Sequence, residues 1–134
     1  MITMMDTMEK MLIMFMIDNQ SRVPIYEQII FQIELFIAQG ILQQDEQLPS
    51  VRQAASDSGI NPNTIQKAYL ELERQGYIYS AIGKGYYVSK QAKDSIELRK
   101  KQVYKVIDEQ IDILKKLGSS VEDIKTTINK RLKR

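Results

Sequence analysis

The sequence predicts a mainly helical fold with one small β-hairpin and a two-helix C-terminal element. Five segments carry apolar residues at helical spacing, and four of them end at a glycine. Residues 77–89 differ, because aromatic and β-branched residues there flank a glycine-containing link. We therefore divide the 134 residues into an N-terminal extension (1–20), a central domain (21–90) and a C-terminal region (91–134).

The first two helices of the central domain are predicted from their apolar spacing and their end signals. The first runs from about Ile25 to Gln39, between Pro24 and Gly40. Its apolar positions are Tyr26, Ile29, Ile30, Ile33, Phe36 and Ile37. After a polar loop, Ser50 is a suitable N-cap for a short helix from Val51 to about Ser58.

The third helix begins in the segment "NPNTIQKAY", which follows the glycine that ends the second helix. Asn61 is predicted to cap it, and Pro62 takes the first helical position, where a missing N–H costs nothing. The buried face comprises Ile65, Ala68, Tyr69 and Leu72. Gly76 ends the helix, and the runs "YIYSA" and "YYVSK", joined by "IGKG", then predict the hairpin.

Helix, short helix, helix and hairpin is the element order of a winged helix-turn-helix, a fold that binds DNA. The tight turn at Gly59 between the second and third helices fits that motif. A small α+β domain that binds nothing would show the same order, so the order alone leaves both interpretations open.

The C-terminal region is predicted to form two amphipathic helices, from about Ala92 to Leu117 and from Ser119 or Ser120 onward. The region is too small for a core of its own, so its apolar stripes must bury against the central domain or a second copy. A symmetric dimer is the economical solution. The residues assigned to it are Val103, Ile107, Ile111, Leu114, Ile124 and Ile128.

The N-terminal extension contains all seven methionines, within residues 1–16. Its longest uncharged apolar run is far shorter than the roughly 20 residues that span a bilayer, and signal-peptide features are missing. Either it is an amphipathic extension packed on the body or a partner, or the natural start is Met14 or Met16. We expect a loosely ordered extension without a function of its own.

The composition argues against catalysis, and the distribution of charge limits how the chain can contact DNA. The chain has no Cys and no His, which excludes thiol nucleophiles, imidazole bases and the common zinc sites. We predict no enzyme activity, no cofactor and no metal. The central domain has six basic and seven acidic residues, whereas the C-terminal region has twelve and seven. Any DNA contact by the central domain therefore has to use a few well-placed cations.

The start of the third helix carries the candidate base-reading residues. Asn63 has the amide that pairs with an adenine edge, and Thr64 suits a phosphate or a thymine methyl group. Gln66 is placed for a base edge and Lys67 for a phosphate, and we expect free N–H groups at Asn63 and Thr64 to attract a phosphate oxygen. Asn61 is a further candidate for DNA contact, with capping as the alternative. The alternative for Asn63, Thr64 and Lys67 is that they are ordinary polar or solvated side chains.

Two further segments flank this helix start. Arg52 lies near the start of the second helix and suits a guanine or a phosphate, and Ser50 is placed to share a phosphate with its backbone N–H. In the hairpin, Gly83 and Gly85 flank Lys84, which suits a wing tip that approaches a minor groove or a phosphate. This "GKG" lacks the spacing of a P-loop.

The segment "LPSVRQAASDSGINPNTIQKAYLELERQGYI", with "GKGYYV" after it and "PIYEQIIFQIELFIAQGIL" before it, resembles the DNA-binding domain of GntR-family transcription regulators. The "NPNT" form and the short tail are similar to the YtrA subfamily. The resemblance associates these residues with DNA contact: Arg52, Asn63, Thr64, Gly83, Lys84 and Gly85. Pro62 and Gln66 stand where many relatives outside that subfamily carry arginines, so base reading should rely on Arg52, Asn63 and Gln66.

The resemblance implies a cytoplasmic homodimeric repressor that binds double-stranded DNA at an inverted-repeat operator and occludes a promoter, with transporter genes as targets. No membrane partner is expected. A small-molecule effector is left open, and with so short a tail its pocket would lie at the dimer interface or between tail and central domain. The alternative is a winged-helix module for protein–protein contact without specific DNA binding.

Overall fold

A computed structural model describes residues 6–134, and this part of the chain contains six helices and two strands. The helices are α1 (Thr7–Met14), α2 (Ile25–Ala38), α3 (Val51–Ser58), α4 (Pro62–Arg74), α5 (Ala92–Lys116) and α6 (Val121–Leu132). The strands are β1 (Ile78–Ala81) and β2 (Gly85–Val88). The predicted fold class is confirmed, and the five predicted helices correspond to α2–α6.

The core of the winged part lies between α2, α3, α4 and the hairpin. All four apolar residues predicted for the buried face of α4 are fully buried: Ile65, Ala68, Tyr69 and Leu72. α2 contributes Ile29, Ile33, Phe36 and Ile37, and the hairpin contributes Ile78 and Val88. Each large side chain among them, such as Ile65 or Leu72, stabilises the fold by about 1.5–3 kcal/mol on burial, so α4 is fixed by its inner face and leaves its outer face free.

Residues 7–14 form a helix, so the expectation of a loosely ordered extension is wrong for this segment. The Asp6 carboxylate caps α1 by accepting the Glu9 N–H at 2.8 Å. Met14 and Phe15 are buried in the core, where their apolar surface is removed from water. Of the two alternatives for this segment, an amphipathic extension packed on the body agrees with the structure. Residues 1–5 of the Met-rich region lie outside the described residues.

The hairpin is held by a third segment, residues 45–48. β1 and β2 pair antiparallel, with Ile78 opposite Val88. The backbone N–H groups of Asp45 and Leu48 donate to the carbonyls of Val88 and Tyr86, each at 2.9 Å. In the opposite direction, the Val88 N–H donates to the Glu46 carbonyl at 2.9 Å. Because a two-stranded hairpin is marginally stable alone, this third segment fixes the wing to the domain.

The chain divides into two compact units after Ile96, inside α5. In the second unit, Ser120 caps α6, since its hydroxyl accepts the Asp123 N–H at 3.1 Å. Among the six residues assigned to dimerisation, Ile124 is buried and Ile111 is half-buried. The exposed ones are Val103, Ile107, Leu114 and Ile128. No helix among the described residues is long and apolar enough to cross a membrane.

We predict that alanine destabilises the fold more at Gly76, in the turn between α4 and β1, than at Gly59, between α3 and α4. Gly76 has φ +84°, and a Cβ there would lie 2.8 Å from the Ser95 hydroxyl oxygen. Gly59 has φ +75° and nothing within 4 Å of such a Cβ. We expect Gly59→Ala to lower the free energy of unfolding by about 1–2 kcal/mol, through left-handed strain alone, and Gly76→Ala to lower it further.

Urea denaturation of both variants measures this difference. Adding Ser95→Ala to Gly76→Ala removes the close oxygen, so it should bring the loss back towards that of Gly59→Ala. Equal losses in the two single glycine variants would contradict the expectation, because Ser95 would then move aside without cost.

Candidate nucleic-acid interface

The start of α4 is stabilised by its own cap. The Asn61 side-chain oxygen accepts the Asn63 N–H at 2.8 Å, and Pro62 follows the cap as predicted. The Thr64 N–H donates to the Asn61 carbonyl at 3.0 Å. The expectation that the N–H groups of Asn63 and Thr64 are free for a phosphate is therefore wrong, because the cap residue already satisfies both.

One face of α4 remains exposed. Asn63, Lys67, Leu70 and Arg74 are exposed, and their spacing places them together, opposite the buried stripe. Thr64 is half-buried beside this face. The sequence reasoning did not identify Leu70 and Arg74, although the repeat i, i+4, i+7, i+11 counted from Asn63 would have found them.

Arg74 is paired on this face with Glu71, three residues earlier. Its Nε donates to Glu71 Oε2 at 2.8 Å, and its Nη2 donates to Oε1. The Gln75 amide adds a bond to the same carboxylate at 2.8 Å. The hydrogen bonds from Arg74 and then Gln75 lower the pKa of Glu71 to about 2, so this carboxylate is ionised at neutral pH.

Gln66 and Lys67, both predicted to contact DNA, are engaged by the protein in the free chain. The Gln66 amide donates to the Tyr86 hydroxyl at 3.2 Å, which connects α4 to β2. The Lys67 ammonium lies 3.8 Å from the centroid of the Tyr26 ring, on α2. An exposed cation–π contact is worth about 0.5–1 kcal/mol, so a phosphate has to compete with a weak existing contact.

Tyr69 connects the three segments that carry the candidate residues. It is fully buried on α4, and its hydroxyl donates to the Pro49 carbonyl at 2.7 Å. Its ring packs edge-on against Tyr86 of β2, with centroids 5.1 Å apart. Burial raises the pKa of the Tyr69 phenol well above its usual value, so the hydroxyl stays a proton donor at neutral pH.

The residue after Pro49 begins the second candidate segment. The Ser50 hydroxyl caps α3 as predicted, accepting the Gln53 N–H at 3.0 Å. Arg52 is exposed in the first turn of α3. The bond from Tyr69 therefore ties the start of α3, with Ser50 and Arg52, to α4.

The wing tip is a tight turn between β1 and β2. Gly83 has φ +72° and Gly85 has φ +109°, which explains the need for glycine on both sides of Lys84. The Lys84 side chain is exposed, and its N–H closes the turn on the Ala81 carbonyl at 2.9 Å. Ile82 is fully exposed at the same tip and was not singled out from the sequence, since an apolar residue carries no polar signal.

An open cavity of about 280 Å³ lies beside the start of α4. Its lining residues are Phe15, Ile17, Asn19, Ile25, Ser58, Gly59, Ile60, Asn61 and Thr64. Phe15, Ile17 and Asn19, which follow α1, supply one wall of this cavity.

Comparison with known proteins agrees with this architecture. Residues 25–88 match the model of the bacterial regulatory proteins of the gntR family. The HTH-type transcriptional regulator YhcF of Bacillus subtilis is 37% identical over 80% of this chain and 90% of its own length. The solved structure of a GntR family transcriptional regulator from Listeria monocytogenes has 36% identity and a TM-score of 0.66, and the match covers 85% of this chain and 98% of that one. The chain belongs to the GntR family.

The similarity to the YtrA type, inferred from "NPNT" and the short tail, is also confirmed. The HTH-type transcriptional repressor YtrA of Bacillus subtilis is 47% identical over 83 residues. That match covers 62% of this chain and 64% of the repressor. The chain thus matches just under two thirds of the length of this GntR-family relative.

The cap at Asn61 and the exposed side chain at Asn63 predict alanine substitutions of different cost to stability. We expect Asn61→Ala to lower the free energy of unfolding by about 1 kcal/mol, because α4 loses its side-chain cap. Asn63→Ala should change it by less than about 0.5 kcal/mol, since that side chain is exposed. Urea denaturation compares the two variants. A loss at Asn63 as large as that at Asn61 would mean that the Asn63 side chain, too, stabilises the helix start.

Proposed function

We propose that this GntR-family chain is a transcriptional repressor that binds double-stranded DNA through its winged unit. The observation that carries the proposal is the exposed polar start of α4, held rigidly by a buried inner face and a satisfied cap. In a helix-turn-helix, this end of the recognition helix meets base edges in the major groove. The Asn63 side chain is exposed and has no hydrogen-bond partner among residues 6–134, so it is free to pair with an adenine edge.

The flanking residues complete the proposed contact. Arg52 binds a guanine or a phosphate from α3, and the Ser50 region adds a phosphate contact. Thr64 and Lys67 contact the backbone beside the groove, and Lys84 reaches a phosphate or the minor groove from the wing. Because the central domain carries slightly more acidic than basic residues, base contacts have to supply much of the affinity for the operator.

The proposed repressor acts as a homodimer on an inverted repeat. The exposed apolar side chains of α5 and α6 would pair with those of a second copy, since an apolar stripe of this length is costly to leave in water. A two-fold dimer places two recognition helices in successive major grooves, roughly 34 Å apart. Repression then follows from occlusion of a promoter in the cytoplasm, and the YtrA likeness points to transporter genes as targets.

The second candidate function is a winged module for protein–protein contact, favoured by the near-neutral charge of the central domain. Selection of bound sequences from a random DNA pool separates the two. We expect enrichment of an inverted repeat and binding that weakens as salt rises. No enrichment, together with no binding even at low salt, would support the protein-contact module and exclude the repressor.

Asn63→Ala should weaken binding to the selected operator by about 1–3 kcal/mol, because one bidentate base contact is lost. Binding to unrelated duplex DNA should not change, since the substitution removes no charge. Fluorescence anisotropy with both duplexes measures this, and Gln20→Ala, at an exposed amide outside α3, α4, the wing and the cavity lining, is the control. An unchanged operator affinity would leave Asn63 without a reading role.

Ile107→Glu should convert the dimer to a monomer, because it places a charge in the middle of the exposed apolar stripe of α5. Lys105→Glu is the control: it changes the charge more but lies on the opposite face of the same helix. Sedimentation velocity gives the mass of each variant. A wild-type chain that stays monomeric at high concentration, or an Ile107→Glu dimer as stable as wild type, would refute the role assigned to the stripe.

A further inference from the structure

We propose that Gln47, outside the hairpin, is a positioning residue that holds the wing tip so that Lys84 is presented to DNA. The proposal rests on the proposed DNA-binding function. It concerns the backbone carbonyl of Lys84, which accepts two hydrogen bonds. The Gln47 amide donates at 3.0 Å, and the Tyr87 hydroxyl donates at 3.2 Å. A carbonyl has two lone pairs, so this group is fully satisfied.

The tip needs such support because its own bonds are few. Only residues 82–84 separate two four-residue strands, and glycines stand on both sides of Lys84. Glycine has the largest backbone freedom of any residue, so a tip with two of them samples many conformations unless it is tied. Within the turn, the Lys84 N–H bond to the Ala81 carbonyl closes the loop but leaves its direction relative to the domain open.

Gln47 is itself rigidly placed. It pairs with Tyr87 in an antiparallel bridge, and its neighbours Glu46 and Leu48 are hydrogen-bonded to the backbone of β2. The side chain therefore extends from a fixed backbone to the tip. This amide links the backbone of the wing tip directly to the segment 45–48.

Gly85 supplies an independent observation for the same contact. A Cβ at Gly85 would lie 3.2 Å from the Gln47 amide nitrogen, closer than most side-chain contacts allow. The second glycine of "GKG" thus meets two demands: its φ of +109° and the space for the Gln47 amide. A wing whose tip made no contact with the domain would need only the first.

The consequence for binding is preorganisation. A cation whose backbone is already fixed loses less conformational freedom when it contacts a phosphate. Gln47 carries no charge, so it can change the electrostatic part of binding only by changing where Lys84 lies. This separates a positioning role from a direct ionic contact.

The test uses Gln47→Met, which keeps the length and neutrality of the side chain but removes the donor. Binding to unrelated duplex DNA should weaken by on the order of threefold to tenfold, the ordering cost of one flexible group. The slope of log affinity against log salt should also fall, by up to about 0.9, the value for complete loss of one phosphate contact. In a Lys84→Ala background, Gln47→Met should have no further effect. Gln44→Met, in the same loop, is the matched control.

A readout without DNA tests the contact between Gln47 and the wing tip separately from the proposed function. In ¹⁵N relaxation of the full chain, the order parameters of Gly83, Lys84 and Gly85 should fall in Gln47→Met and stay at wild-type values in Gln44→Met. If the wild type fails to bind DNA, the repressor is wrong, yet relaxation still decides whether Gln47 holds the tip. Unchanged order parameters, or an equal loss of affinity with and without Lys84, would overturn the positioning role.

Discussion

The hydrogen bond from the Tyr69 hydroxyl to the Pro49 carbonyl joins the two helices of the helix-turn-helix. It connects α4 to the residue just before the Ser50 cap of α3. Pro49 ends the loop before α3, and its ring nitrogen has no hydrogen to offer a helix or sheet. Tyr69 satisfies the carbonyl from the buried side of α4. The same ring packs on Tyr86, so one side chain sets α3, α4 and β2 relative to one another. Arg52, Asn63 and Lys84 lie on or next to the three elements that Tyr69 connects.

A second layer of contacts couples the recognition helix to the wing. The Gln66 amide bonds to the Tyr86 hydroxyl, and the Glu73 carboxylate accepts bonds from the N–H and hydroxyl of Ser80 at 3.2 and 2.8 Å. Two points along α4 thus hold the hairpin, while residues 45–48 hold it from its other edge. The short strands need this support, because eight strand residues bury too little to be stable alone. The wing behaves as part of the domain.

The sequence predicted what depends on local chemistry. Glycines at 40, 59, 76 and 118 marked helix ends, and all four adopt the positive φ that favours glycine. Asn61, Ser50 and Ser120 were identifiable as caps because a cap is a short-range hydrogen bond. Several contacts that the sequence did not indicate involve distant partners. Nothing local to Gln66 indicates Tyr86, twenty residues away, and nothing local to Gln47 indicates Lys84. α1 was missed for the same reason, since its order comes from a core formed by later residues.

Two cations on the exposed face of α4 already have partners within the protein, and this bears on how the proposed repressor distinguishes its operator from other DNA. Lys67 lies over Tyr26, and Arg74 is bound to Glu71, whose pKa near 2 keeps the pair intact across the neutral range. A phosphate has to compete with these partners, which lowers affinity for any DNA alike. The Asn63 side chain has no such competing partner among residues 6–134, so a base contact would contribute its full binding free energy. In the proposed repressor, weak binding to DNA of any sequence, combined with base contact by Asn63, would favour the operator over the large excess of other sites.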